Sequence, residues 1–273
     1  MKKHFTHLII LFFLPTTVIF SANDNYPFGG RSAGMANAAV TLHDFWAVSH
    51  NQAGLALEEN MAAGFYYENR FGIKELGLGA GAFVLPTDAG VFGLNFTYFG
   101  YSQYNESKVG LAYARNFGEN LSTGVQLNYL STKIAEDYGS KRNLTFELGA
   151  IYQLIPDLYV GAHLFNPIKA KVAEYDDERI PTILRFGMSY LFSERVMVIL
   201  ETEKDINHPY NFKLGIEYQI TDPIYIRGGV GTSESQNAFG VGLLLSNFRI
   251  DISASYHNVL GYSPQFSMIY EFQ

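Results

Sequence analysis

The sequence contains no cysteine. Disulfides, thiolate metal sites, a cysteine nucleophile and a lipid anchor on an N-terminal Cys are therefore excluded. Charge is sparse as well: 16% of the 273 residues are charged, where a soluble domain carries about a quarter. The balance is acidic, 19 Lys plus Arg against 26 Asp plus Glu for a net −7, and no Lys/Arg cluster is placed to track phosphates. Nucleic acid is thereby excluded as a partner. Helical periodicity is nearly absent after residue 60. Beyond the N-terminus no apolar run reaches the ~20 residues that a spanning helix requires.

Abundance lies in 22 Phe, 19 Tyr and 26 Gly. The first 22 residues, "MKKHFTHLIILFFLPTTVIFSA", place Lys2 and Lys3 before an apolar stretch and end on Ser21 and Ala22. That is the plan of a bacterial secretory signal, so residues 1–22 are expected to be removed on export. A mature chain without a spanning helix enters a membrane only as a closed barrel.

From Met61 onward the chain alternates. In "ILRFGMSYLF" Leu184, Phe186, Met188, Tyr190 and Phe192 share one parity, while Arg185, Gly187 and Ser189 take the other. Strands send successive side chains to opposite faces, so such a segment has one greasy face and one polar or empty face. Similar beats run over 144–154, 212–220, 250–256 and 266–272, and over Leu76 to Val84 and Phe92 to Tyr98, with glycine or small polar residues expected inside. About fourteen segments are expected, near 61–69, 74–85, 91–101, 107–117, 121–132, 143–154, 158–166, 182–192, 195–203, 210–220, 224–232, 238–246, 248–257 and 264–272. Each is long enough for a tilted membrane strand.

The connections alternate too. Tight ones ("PTDAG", "FGEN", "IPD", "SE", "TDP", "SN") follow even segments, and longer polar ones ("YSQYNES", "KIAEDYGSKR", "PIKAKVAEYDDERIP", "TSESQN", "NVLGYS") follow most odd segments. Outer-membrane barrels have short periplasmic turns and longer external loops, so both ends of the chain are expected in the periplasm. Soluble sandwiches also alternate, but their outward faces are densely charged. Here the polar parity is rich in Gly, Ser, Thr and Asn, with charges arriving singly, and Tyr and Phe gather at segment ends as aromatic girdles do. The expected fold is all-β, a transmembrane antiparallel up-and-down barrel over 61–273 in the outer membrane of a Gram-negative bacterium, in contact with its lipid.

Residues 23–60 do not alternate. They are rich in Gly, Ala and Asn, hold the only Trp, and precede the first strand from the side where they can enter the barrel and plug it. Within them "HDFWAVSHNQAGLA" follows a Gly-Ala-rich opening of Gly29, Gly30, Arg31, Ala33, Gly34 and Met35. This passage resembles the start of the FadL-like superfamily, in which an acidic turn leads to Trp/Tyr-x-Asn-Pro-Ala-Gly-Leu. The match falls at Asp44, Trp46, Asn51, Ala53, Gly54 and Leu55, and Gln52 stands where the family has proline. The resemblance implies fourteen strands around an N-terminal hatch. It also implies one of two roles: transport of hydrophobic small molecules such as fatty acids, or, for the PorV/PorQ-type barrels of Bacteroidota, service to a type IX secretion complex. With about 210 residues left for the barrel, external loops are small, which favours the accessory role in export.

Hatch or gate candidates are Trp46, Asn51, Gln52, Ala53, Gly54 and Leu55. A lumen charge network is expected from Glu147, Arg185, Glu201, Lys213, Glu217 and Arg227, because buried charges must pair. His43, Asp44 and His50 lack the spacing of a metal site. A remote alternative is a barrel lipid hydrolase: His163, His208 and His257 are expected near external strand ends, with Ser253 and Ser255 in reach, yet no nucleophile motif accompanies them. No catalytic residue, metal or cofactor is expected.

Overall fold

The computed structural model describes residues 25–135, 139–170, 180–206, 208–233 and 236–272. The expected signal segment, most of the "PIKAKVAEYDDERIP" connection and the middle of "KIAEDYGSKR" lie outside these residues. Fourteen antiparallel strands close into a barrel in sequence order, β1 pairing with β14. They are β1 (Ala62–Asn69), β2 (Gly77–Thr87), β3 (Gly90–Gly100), β4 (Tyr104–Phe117), β5 (Leu121–Ile134), β6 (Ser140–Ile155) and β7 (Leu158–Phe165). The second half comprises β8 (Ile183–Ser193), β9 (Val196–Asp205), β10 (Asn211–Thr221), β11 (Ile224–Gly231), β12 (Asn237–Leu245), β13 (Phe248–His257) and β14 (Gly261–Glu271). Every expected segment corresponds to one strand, with ends displaced by up to three residues.

Closure leaves no free edge. The seam pairs Ala62 with Glu271 and Tyr67 with Phe266. Both ends of the barrel wall therefore lie at the rim carrying the tight turns. Register slips only beside three of those turns, at Gln153/Ile155, Leu191/Ser193 and Gln219/Thr221.

Parity assigns the two faces. Leu148, Phe186, Met188, Ile216 and Ile252 are exposed on the outside, while Glu147, Arg185, Ser189, Glu217 and Asp251 are buried inside. An apolar exterior around a polar, filled interior is the arrangement of a transmembrane barrel. Among the described residues no helix is long and apolar enough to cross a membrane.

β2 reverses the expected faces. Leu78, Ala80 and Val84 point inward and are buried, while Gly77, Gly79 and Gly81 take the outward parity. The cause is local. β2 backs onto the one large apolar cluster of the lumen, formed with Phe28, Phe45, Trp46, Val48 and Leu55 from the segment preceding the barrel. Its inward side chains are apolar because their neighbours are.

That segment occupies the lumen. It contains two single-turn helices, α1 (Gly30–Ala33) and α2 (Ala47–His50), and a 3-10 turn over Gln52–Leu57. Its first described residues do not sit at the tight-turn rim. Asn25 accepts a hydrogen bond from Lys108 Nζ (2.9 Å), and the Tyr26 ring lies 4.7 Å from that of Phe99, near the rim with longer connections. The two ends of the wall thus share the tight-turn rim, whereas this part of the chain lies near the opposite one.

Candidate functional site: the plugged lumen

The segment from Asn25 to Asn60 runs round the inside of the wall, and the wall has lost side chains where it passes. A Cβ added to Gly64 on β1 would lie 2.5 Å from Phe45, and one on Gly161 of β7 would lie 2.5 Å from the Val40 carbonyl. On Gly187 it would meet Val40 at 2.6 Å, on Gly215 Met35 at 2.8 Å, and on Gly93 Leu55 at 3.0 Å. Gly124, Gly149, Gly229 and Gly240 abut Gln52, Asn51, Met35 and Gly34 in the same way. The plug can approach the wall's backbone at these points only because no wall side chain intervenes.

Carboxylates fix the plug between these contacts. Glu201 accepts from the Ala39 and Val40 amides (2.8 and 2.9 Å) and from Lys213 Nζ (3.1 Å). Glu217 takes a two-pronged contact from Arg31 (2.9 and 2.6 Å) and another from Arg227 Nε (2.6 Å). Arg31 also reaches Asp44 at 3.1 Å, and Arg227 reaches Asp251 at 2.6 Å. Glu147 receives Gln52 Nε2 (2.9 Å), Gln126 (3.0 Å), Asn128 (2.8 Å) and the His163 ring (2.9 Å), with Lys108 at 3.6 Å. Charged hydrogen bonds of this kind contribute about 1.5–3 kcal/mol each, and opening a buried pair costs about 3–5 kcal/mol.

The six expected lumen charges are thus all paired, but not as one network. Lys213 with Glu201 and Glu217 with Arg227 belong to separate clusters, and Arg185 pairs with Glu203 (2.7 Å). Glu203 bridges Arg185 to Lys213, which it meets at 2.9 Å. Sequence reasoning missed Arg31, Lys108, His163, Glu203 and Asp251 as members. Strand parity would have found the wall residues, since all lie on the inward register. No pattern marks Arg31.

Each hatch candidate has a structural task. Trp46 packs edge-on against Phe28 (5.7 Å) and Phe45 (4.8 Å) and faces Tyr66 of β1. Asn51 caps the 3-10 turn, its Oδ1 accepting from the Ala53 amide (3.2 Å). Its Nδ2 donates to Val40 O (2.7 Å) and reaches the Ala150 and Ala162 carbonyls of β6 and β7 (both 3.3 Å). Gly54 packs so tightly on Leu42 and Ala47 that no Cβ fits. Ala53 and Leu55 are fully buried. Gln52, the departure from the family motif, ties the turn to Glu147.

Burial holds the imidazoles of His43 and His50 down at about 4, so both are neutral near pH 7. Burial likewise lifts Glu58, at the tight-turn rim, to about 7. Among the described residues no group of His, Asp and Glu is placed to hold a metal. His163 lies two residues from the end of β7 at the rim with the longer connections, buried against Glu147 of β6 and across the sheet order from Ser253 and Ser255 on β13. His208 pairs with Asp205 (2.7 Å), and the His257 ring accepts from the Val259 and Leu260 amides.

Beside Tyr26 the lumen leaves an enclosed space of about 20 Å³. Phe99, Leu130 and Phe165 line one part of it and Glu106, Lys108 and Thr97 another. It is water-sized.

A barrel of fourteen strands whose N-terminal segment fills its own lumen has solved counterparts. The fold is the FadL-like barrel. Similar structures include the CymD monoaromatic hydrocarbon channel (TM-score 0.71, 15% identity, covering 90% of this chain and 98% of that one). The Ralstonia pickettii toluene transporter TbuX aligns equally well (TM-score 0.71, 14% identity, 90% and 98% covered). A Pseudomonas aeruginosa FadL homologue follows (TM-score 0.66, 13% identity, 91% and 99% covered). No family model matches the sequence, and no curated protein does. The first two are named as a channel and a transporter and the third as a FadL homologue, so the PorV/PorQ assignment and the Bacteroidota origin gain no support from them.

Proposed function

We propose that this barrel carries hydrophobic small molecules across the outer membrane, with residues 25–60 as its gate, the tight-turn rim in the periplasm and the longer connections outside. The observation that carries the reading is the lumen above the plug. There, in a fold shared with hydrocarbon and toluene transporters, the rings of Tyr26 on the plug and of Phe99 and Phe165 beside it meet the polar side chains of Glu106 and Lys108. A space with apolar rings on one side and convergent polar groups on the other suits an amphipathic ligand. At about 20 Å³ it admits one only if the plug shifts. The export-scaffold reading, favoured by chain length alone, is set aside because no feature of the lumen calls for a protein cargo.

The chain's lack of cysteine permits a clean test. Arg31 of the plug meets Glu217 of β10 side chain to side chain at 2.6 Å, so a cysteine at each position can be joined by a short, reducible bis-methanethiosulfonate linker without a new side chain at a wall glycine. Arg31→Cys/Glu217→Cys, so joined, is expected to abolish uptake of a labelled fatty acid or toluene by cells expressing the barrel, and reduction to restore it. Uptake that is indifferent to the barrel, locked or free, refutes transport. Uptake that needs the barrel but ignores the lock refutes the gate alone.

A further inference from the structure

The outer face of the wall carries a cavity of about 600 Å³ at the rim with the longer connections, across β9 to β12. Its apolar lining is Leu200, Phe212, Leu214 and Val230, and Thr232 and Asn237 form its polar end. The volume is that of a small-ligand site, yet three of the apolar residues, Leu200, Phe212 and Val230, are half-exposed on the lipid side. The depression does not stop at Val230. The next outward position on β11 is Gly228, in front of which the space is open. Its strand partners, Ile216 on β10 and Phe239 on β12, stand exposed on either side as walls.

A cation stands over the upper end of this groove. Lys204 takes the outward parity on β9, four residues beyond Leu200. Its ammonium lies 5.1 Å from the centre of the Tyr210 ring, which stacks on Phe212 at 6.3 Å. One ammonium hydrogen goes to the His208 carbonyl, and an ammonium has three to give. The neighbouring His208 and Asp205 pair with one another. Lys213 also borders the cavity, but its ammonium is held on the lumen side by Glu201 and Glu203.

We propose that the groove binds one lipid with an anionic phosphate head group. Its acyl chain lies over Gly228 between Ile216 and Phe239, and its phosphate meets Lys204. The occupant follows from the surroundings: the groove opens on the lipid-facing side, is a single side chain wide, and runs from mid-wall to a cation at the rim. A basic side chain at the interface above an apolar strip suits head group and chain together.

The full-length barrel, reconstituted in vesicles of equal phosphatidylglycerol and phosphatidylcholine with matched chains, is released and its retained lipid is counted by native mass spectrometry. Retention of one phosphatidylglycerol, several-fold over phosphatidylcholine, is expected. Lys204→Gln should bring that ratio to one while leaving total retention largely unchanged. Gly228→Phe should lower retention of both lipids several-fold, whereas Gly79→Phe, at an outward glycine that also faces open space but lies on β2, should not. Lys204→Gln lies outside the packed lumen and decides the head-group claim even where Gly228→Phe fails to assemble. A wild-type ratio of one, a ratio unmoved by Lys204→Gln, or equal effects of the two glycine substitutions would overturn the site.

Discussion

Gln52 shows how one residue sets the attachment of the plug. It occupies the first position of the 3-10 turn behind the Asn51 cap, where a proline is tolerated because its amide needs no partner within the turn. Gln52→Pro should therefore keep the turn and lose the contact to Glu147 with a long one to the Val48 carbonyl (3.5 Å), destabilising the docked plug by about 1.5–3 kcal/mol. Glu147→Ala removes the acceptor shared by Gln52, Gln126, Asn128 and His163 and leaves Lys108 without its carboxylate, a larger loss of about 3–5 kcal/mol. Urea unfolding in detergent should rank wild type above Gln52→Pro above Glu147→Ala; the reverse order of the two variants would show that Glu147 does not anchor the plug. The proline position was legible in the sequence as a departure, but its meaning was not, because the partner lies 95 residues away.

Docking should also depend on pH. His43 and His50, held at about 4 by burial, stay neutral while docked and take up a proton on release, since the undocked groups have ordinary values near 6.5. The docked state binds fewer protons, so its stability is complete above about pH 6.5 and is lost as pH falls towards 4. Asp44 and Glu201 around His50 oppose this shift, and Arg185 and Lys213 reinforce it. Glu58, raised to about 7, works in the opposite sense between 4.5 and 7, one group against two. Conductance bursts in planar bilayers should become more frequent from pH 7 to pH 4.5, and replacing His50 by Asn should flatten the trend.

Strands were the most legible elements. A period of two needs only local sequence, and it held from β3 to β14. β2 failed because period alone cannot say which parity faces in; the apolar cluster around Trp46 decides that, and the cluster exists only once the plug is docked. The same blindness affects substitutions on β6. Leu148→Arg sets a charge against lipid and should cost about 2–4 kcal/mol in assembly. An inward Gly149→Arg would be electrically acceptable in a polar lumen, yet Gly149 abuts Asn51, so a side chain there displaces the plug. Gly149→Val should assemble normally, with full heat-modifiable mobility on gels, and conduct where wild type is closed. A closed Gly149→Val barrel would show that the contact yields.

For the molecule as a whole, wall and plug are separable in one respect. Strand pairing and lipid contact are properties of residues 62–271. Deletion of 26–56 is expected to give a barrel that reaches the outer membrane and shows a stable conductance. A deletion product that never inserts would make the plug part of the wall's own stability. Orientation has its own check: cysteines at Ser102 or Val259 should label from outside intact cells, and those at Asp157 or Asp222 should not.

The glycines lining the plug carry a consequence for the order of assembly. Gly64, Gly93, Gly124, Gly149, Gly161, Gly187, Gly215, Gly229 and Gly240 sit on nine different strands, and Gly30 bonds to Ser267 across 237 residues. The plug precedes β1 in the chain, so its binding surface is complete only when β14 has been made. Contacts so distant in sequence form late. Plug docking and closure of the β1–β14 seam are then nearly the same event, with the early part of the chain waiting, unsheltered, for the last. That interval should lengthen with any substitution that slows the seam, such as one at Tyr67 or Phe266.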